Sequence, residues 1–166
     1  MPTTDQPAEE IRTMFFVWKD NMSVDNGVID DDHRHLIEIM DGVMILVTGK
    51  ARQGAVIAML KALYDFGEKH FRREEMLQQE AGYPDFEAHR RVHEQLLADL
   101  RDYITNLSGL SCQDLTPEQC QTRIHETKRF LTRWLIAHIL GEDTKLRPWV
   151  ERMRTSAAAT DLLRAG

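Results

Sequence analysis

The sequence predicts an all-α fold: an antiparallel up-down four-helix bundle with an N-terminal arm and a short C-terminal helical appendage. Three observations predict it. Apolar residues recur at spacings of three and four along four long stretches, the period of a helix with one buried face. Compact breakers separate those stretches at Gly49, at Ala81-Gly82-Tyr83-Pro84 and at 108–115, and connections that short make successive helices antiparallel neighbours. No strand-type alternation of useful length and no internal repeat is present. A chain of 166 residues suits one domain over 1–166, divided into an arm (1–29), a bundle core (30–148) and an appendage (149–166).

The arm carries Pro2, Pro7 and Gly27 but also Ile11, Met14, Phe15, Phe16, Val17 and Trp18, so it is expected to lie across the bundle surface. Asp30 or Asp31 is expected to cap the first helix, whose stripe of Ile29, Leu36, Ile37, Met40, Met44 and Val47 runs to Gly49. His33 shares that stripe and His35 does not. The second helix is predicted from about Gly54 to Gln79, with Val56, Met59, Leu60, Leu63, Phe66 and Leu77 on its buried face. His70 and Glu74 interrupt that face four residues apart. Asp85 is expected to cap the third helix, where Phe86, His89, His93, Leu96, Leu97, Leu100, Ile104 and Leu107 step by three and four. Thr116-Pro117-Glu118-Gln119 reads as an N-cap, a proline at the first helical position and a capping-box glutamine. The fourth helix then presents Cys120, Ile124, Leu131, Trp134, Leu135, His138 and Ile139, and Pro148 is expected to kink or restart it. Trp149 and Val150 open a last short helix that covers the bundle end.

Bulk properties exclude several function classes. Hydrophobic content of 42% and charged content of 29% are those of an ordinary globular chain, which argues against extended disorder. A net charge of -6 and a pI near 5.6 oppose binding to nucleic acid or anionic membrane, because a phosphate field repels the chain overall. Apolar runs such as Val43 to Val47 are far too short to span a bilayer, and no basic segment precedes a signal-type apolar core. Cys112 and Cys120 form neither a CxxC nor a zinc-ligand set and read as free thiols, so a cytoplasmic location is expected.

The informative residues are the histidines. Each helix brings ligand-type side chains to its apolar face: His33; His70 and Glu74; His89 and His93; His138, with Asp143 five residues on. Counted from the turn at 82–84, the pairs on the second and third helices fall at similar depth, since both helices rise equally per residue. Five imidazoles and two carboxylates are too many for one tetrahedral zinc and suit two first-row metal ions bridged by carboxylates. Two divalent ions offset two carboxylates and a hydroxide with one residual positive charge, whereas the metal-free site buries unpaired carboxylates. One geometric difficulty stands out. A spacing of five sets His138 and Asp143 roughly 140° apart on an ideal helix. Either the helix is irregular near Gly141, for instance in a π-type turn, or it sits so that both flanks reach the cluster. His35 and His125 share no such position and are expected at the surface.

With these segments in view, the sequence resembles the bacterial hemerythrins. The resemblance runs from about Trp18 to Pro148 through Ile29-Asp30-x-x-His33-x-x-Leu36, His70-Phe71-x-x-Glu74, Gly82-Tyr83-Pro84, His89-x-x-x-His93 and Trp134-Leu135-x-x-His138-Ile139-x-x-x-Asp143. Myohemerythrin is itself a stock example of the up-down four-helix bundle. The resemblance implies two iron ions with a bridging oxo or hydroxo group. His89, His93 and His138 would hold one ion, His33 and His70 the other, and Glu74 and Asp143 would bridge them. It further implies reversible binding of dioxygen at the ion that is a ligand short, beside a pocket lined by Trp134, Leu135 and Ile139. Glu75 is left out of the ligand set, because its neighbouring position turns it about 100° from Glu74.

Two other function classes use the same metal chemistry: an enzyme that reduces nitric oxide or peroxide or repairs iron clusters, and a sensor or delivery module acting through a partner. The chain shows neither a redox cysteine motif nor a second cofactor motif for the first. Only the appendage supports the second.

Overall fold

In a computed structural model that describes residues 14–107 and 112–165, four antiparallel helical runs enclose one main core. Ile11 of the arm, Ser108 to Ser111 of the third connection, and the side chains of Leu162 and Leu163 lie outside the described residues. Helix α1 spans Val28–Thr48, α2 Gln53–Glu80, α3 Phe86–Asn106 and α4 Pro117–Leu131. The fourth run continues through a π turn, Thr132–Ile136, into α5, Ala137–Gly141. A 3-10 turn, Asp143–Leu146, leads into α6, Arg147–Ala165. Among the described residues there is no strand, and no helix is long and apolar enough to cross a membrane.

The apolar stripes read from the sequence form the core. Leu36, Met40, Val43, Met44, Leu60, Leu63, Leu100, Leu131, Leu135 and Ile139 are all fully buried. Burying a leucine-sized side chain contributes about 1.5–3 kcal/mol, so this stripe-to-stripe packing dominates the stability of the bundle. Two of the helix ends behave as their residues dictate. Thr116 and Gln119 make the reciprocal capping box, and Gly82 sits at φ 65°, the left-handed conformation that ends α2 without a Cβ clash.

Other ends differ from expectation. Gly27, not Asp30 or Asp31, is the N-cap of α1. Asp25 caps it instead, its carboxylate accepting from the backbone of Gly27, Ile29 and Asp30. Asp30 turns back on the arm and accepts from the Ser23 hydroxyl and the backbone N–H of Val24, Asp25 and Asn26. Asp85 occupies the N-cap of α3 but makes no side-chain cap bond. The last helix is 19 residues long, not short.

The arm crosses the bundle as its aromatic residues suggest. Phe16 is buried, Phe15 and Trp18 are partly buried, and the backbone N–H groups of Phe15 and Phe16 donate to the buried carboxylate of Asp41 at 2.8 and 2.9 Å. Val150 and Leu146 join Val24, Ile29 and Tyr83 in a second apolar cluster at the bundle end. Arg147 and Arg154 donate to the arm's carbonyls at Ser23, Asn21 and Asp25. Helix α6 and the turn before it therefore cover the bundle end and also pin the arm to it.

Candidate metal centre

All seven sequence-predicted ligand residues converge in the interior. His33, His70, Glu74 and Asp143 have no exposed surface, and His93, His89 and His138 are 1%, 3% and 5% exposed. Two sets of ligand atoms lie within 4.8 Å of one another: Glu74, His89, His93, His138 and Asp143 in one, and His33, His70, Glu74 and Asp143 in the other. The carboxylates of Glu74 and Asp143 belong to both. Three imidazoles, of His89, His93 and His138, join the shared pair in one set, and two, of His33 and His70, in the other.

The backbone explains how Asp143 reaches His138. Helix α5 ends at Gly141, the Glu142 N–H still donates to the His138 carbonyl at 2.7 Å, and the chain then tightens into the 3-10 turn that starts at Asp143. This break brings Asp143 Oδ1 to 2.9 Å from His138 Nε2, where a continuous helix would have set the two far apart around the axis. The expected irregularity near Gly141 is present, but as a tightened turn. The π turn comes one turn earlier, closed by the Ala137 N–H donating to the Thr132 carbonyl. Trp134 and Leu135, inside that turn, are both buried.

Without a cation the cluster is poorly satisfied. His33 Nδ1 and Nε2, His70 Nε2, Glu74 Oε2, His89 Nδ1, His138 Nε2 and both Asp143 oxygens are buried without a hydrogen-bond partner. Close approaches exist, such as His33 Nε2 to Asp143 Oδ2 at 3.3 Å, but they are attractions between atoms aimed past one another. His89 Nε2 and His93 Nε2 face each other at 2.9 Å. Buried polar groups are almost always paired, and orphaned ones cost about 1–3 kcal/mol each. Imidazole nitrogens and carboxylate oxygens converging on common points are the donor set of a first-row transition metal, so the residues fit a pair of such ions.

Protonation follows the same logic. Burial, then the neighbouring Asp143, pushes the Glu74 carboxyl up to about 7. Burial pushes His70 down to about 4 and pushes His93 down as well, helped by the imidazoles of His138 and His89. Burial works against ionisation of Asp143 too, yet the surrounding His138, His33 and His89 hold it well below the usual carboxylate range. Neutral imidazoles and ionised carboxylates are the forms that bind metal.

Sequence reasoning missed the groups that contact the candidate ligands from outside the cluster. Glu75 accepts from, or lies against, His93 Nδ1 at 2.9 Å, and the Phe71 ring stacks on His93 with centroids 4.1 Å apart. Asp32 sits 3.4 Å from His70 Nδ1 and is itself held by Arg73 at 2.6 Å. Gln78 donates to Glu74 Oε1 at 3.0 Å. Such partners fix ring orientation and raise ligand basicity. The signal was available, since Glu75 and Asp32 each neighbour a predicted ligand.

The pocket residues are distributed unevenly. Leu135 and Ile139 are fully buried in the main core. The Trp134 indole donates to the Leu96 carbonyl at 2.8 Å, reaches Gly67 so closely that a Cβ there would lie 3.2 Å away, and edges an open groove of about 570 Å³. His35 and His125 are exposed, as expected.

Residues 25–150 match the family described as the Hemerythrin HHE cation binding domain. The chain belongs to the hemerythrin family. Among its relatives is a bacteriohemerythrin of Stenotrophomonas maltophilia (strain R551-3), 34% identical over 127 residues that cover 76% of each chain. A myohemerythrin of Sipunculus nudus is 29% identical over 135 residues, covering 80% of this chain and 91% of that one. A crystal structure of wild-type hemerythrin, 24% identical, covers 81% of this chain and 97% of its own with a TM-score of 0.63, which supports the shared fold. The match spans all seven candidate residues, His33 to Asp143, and stops in the first turn of α6.

Proposed function

We propose that this hemerythrin-family chain forms one domain that holds two iron ions with a bridging oxo or hydroxo group, binds dioxygen reversibly, and is not primarily an enzyme. His89, His93 and His138 hold one ion, His33 and His70 the other, and Glu74 and Asp143 serve both. The observation that carries this reading is the pair of overlapping ligand sets that share those two carboxylates. The names of the relatives, bacteriohemerythrin and myohemerythrin, support it. A pair of reduced iron ions held there would supply the reversible electron transfer that dioxygen binding needs. The protein's contribution is asymmetry and dryness. The His33 and His70 side offers one imidazole fewer, which leaves room for a small ligand. Trp134, Leu135 and Ile139 wall that side with apolar surface, and an apolar wall disfavours both water entry and escape of a charged, reduced oxygen species. Acidic net charge and the two free thiols favour a cytoplasmic protein that avoids nucleic acid and membranes.

The test is anaerobic reduction of the iron-loaded protein followed by air. The proposal predicts a visible absorption band that appears with oxygen and disappears under vacuum over repeated cycles. A band that never forms, or one that decays at once while added reductant is consumed, overturns the carrier reading in favour of an oxygen- or nitric oxide-reducing enzyme.

A further inference from the structure

His33 belongs to the ligand set with one imidazole fewer, and part of its enclosure comes from outside the four-helix bundle. The His33 ring is fully buried, with both nitrogens unpaired and the His70 ring centred 4.6 Å away. The Trp18 indole of the arm lies against it, with ring centroids 6.4 Å apart and planes 34° from parallel. Trp18 is only partly buried, so a ring that touches solvent on its outer side backs one that has no exposed surface.

The arm is fastened before, at and after this ring. Before it, the backbone N–H groups of Phe15 and Phe16 donate to Asp41 Oδ1 at 2.8 and 2.9 Å, Phe16 enters the core, and the Lys128 ammonium stands 6.0 Å from the Phe15 ring centre. At Trp18 itself, the Arg34 guanidinium stands 4.4 Å over the indole, a cation–π contact. After it, Asp30 gathers the backbone of Val24 to Asn26, and Arg147 donates to the Ser23 carbonyl. Residues 17–19 are neither helix nor strand, so these attachments, not regular backbone bonding, set the position of Trp18. Asp41 is the informative one. It is a buried carboxylate committed to two N–H groups of the arm, and it follows His33 by eight residues on α1, roughly 12 Å along the axis.

We propose that Trp18 is a cover over the His33 and His70 position, held down through Asp41 and Arg34, that sets how fast solvent and small anions reach His33 and the ion it holds. The part concerning the ion rests on the assignment of His33 to the ligand-short ion under the proposed function; the cover over His33 does not. Trp18 acts by exclusion: passage requires local opening of the arm, and a small neutral molecule needs a smaller opening than a hydrated anion.

The experiment has two parts. In the first, the metal-free full chain is treated with diethyl pyrocarbonate, which acylates accessible imidazoles, and peptide masses are followed in time. Trypsin cuts after Lys19 and Arg34, so His33 and the exposed His35 fall in separate peptides, 20–34 and 35–50. His35 is expected to be labelled equally in every variant. His33 is expected to be labelled slowly in the parent, about tenfold faster in Trp18→Ala and in Asp41→Ala, and again slowly in Trp18→Phe, which restores a ring. His93, 1% exposed and away from the arm, stays protected throughout. Equal labelling of His33 in the parent and Trp18→Ala overturns the cover, and so does labelling of His93 that rises in step with it, because the whole bundle has then opened. In the second part, azide is mixed with the air-oxidised, iron-loaded protein and its visible band is timed. Trp18→Ala is expected to bind azide about tenfold faster with two irons still bound and the band at the parent's wavelength. An unchanged rate overturns the control of access. A parent that holds no iron pair overturns the proposed function and with it control of access to the ion, while the labelling still decides the cover.

Discussion

Glu74→Gln separates the two roles of a costly buried carboxylate. In the metal-free protein Glu74 is fully buried, and burial, reinforced by Asp143, raises its carboxyl from 4.5 to about 7. A raised carboxyl means that the folded chain holds the proton more tightly than the unfolded one. The destabilisation is therefore absent below about pH 4.5, grows between 4.5 and 7, and is complete above about 7. A shift of that size corresponds to about 3 kcal/mol. Glutamine keeps the shape, and its carbonyl oxygen can still accept from Gln78, but it carries no charge to desolvate. Urea unfolding of chelator-treated protein is predicted to show the variant more stable than the parent by about 3 kcal/mol at pH 8 and by about 1 kcal/mol or less at pH 5. The iron-loaded comparison runs the other way: without a shared anionic ligand the variant retains fewer than two ions per chain. A metal-free variant no more stable than the parent at pH 8, or a variant that keeps both ions, refutes the argument that Glu74 is a destabilising group retained for metal.

Three further outcomes follow from the surroundings of the site. Glu75→Ala removes the group at His93 Nδ1 and is expected to speed iron loss to a chelator about tenfold; an unchanged rate would mean that stacking on Phe71 alone orients the ring. Leu135→Ala opens a cavity in a fully buried position, lowers stability by about 3 kcal/mol in thermal or urea unfolding, and accelerates autoxidation of the oxygenated protein without lowering iron content; unchanged autoxidation removes Leu135 from the pocket wall. Arg147→Ala frees the arm's carbonyls at Ser23 and Asn21, so amide exchange over residues 23–26 should quicken while exchange in α2 and α3 stays as it was; equal exchange in the arm rules out the clamp.

The candidate ligands were legible in the sequence because a histidine or carboxylate on an apolar stripe violates the pattern that builds a bundle. His33, His70, Glu74, His89, His93 and His138 each did so at helical spacing, and the turn at Gly82 set the second and third helices in register. Asp143 was legible through the family resemblance, since helical periodicity alone places it on the wrong face. The break after Gly141 resolves that conflict, and the π turn at Thr132–Ile136 had no marker in the residue pattern, because nothing in Thr-Arg-Trp-Leu-Ile disfavours an ordinary helix.

Groups that act sideways were harder to see. Turning about 100° from Glu74 removes Glu75 from the bundle axis, but it aims the carboxylate along the α2–α3 seam toward His93. Asp32 reaches His70 by the same kind of lateral step from α1 to α2. Asp30 was misread for a related reason: an aspartate near a helix start usually caps that helix, whereas here it gathers the backbone of the arm while Asp25 does the capping. Each of these depends on which element packs alongside, and local periodicity does not contain that information.

Oxygen titration of the reduced protein, with iron and chain concentration measured on the same sample, tests the central claim most directly. The account predicts two irons per chain and one dioxygen taken up per pair, fully recovered on evacuation. One iron per chain, or oxygen consumed and not returned, contradicts it.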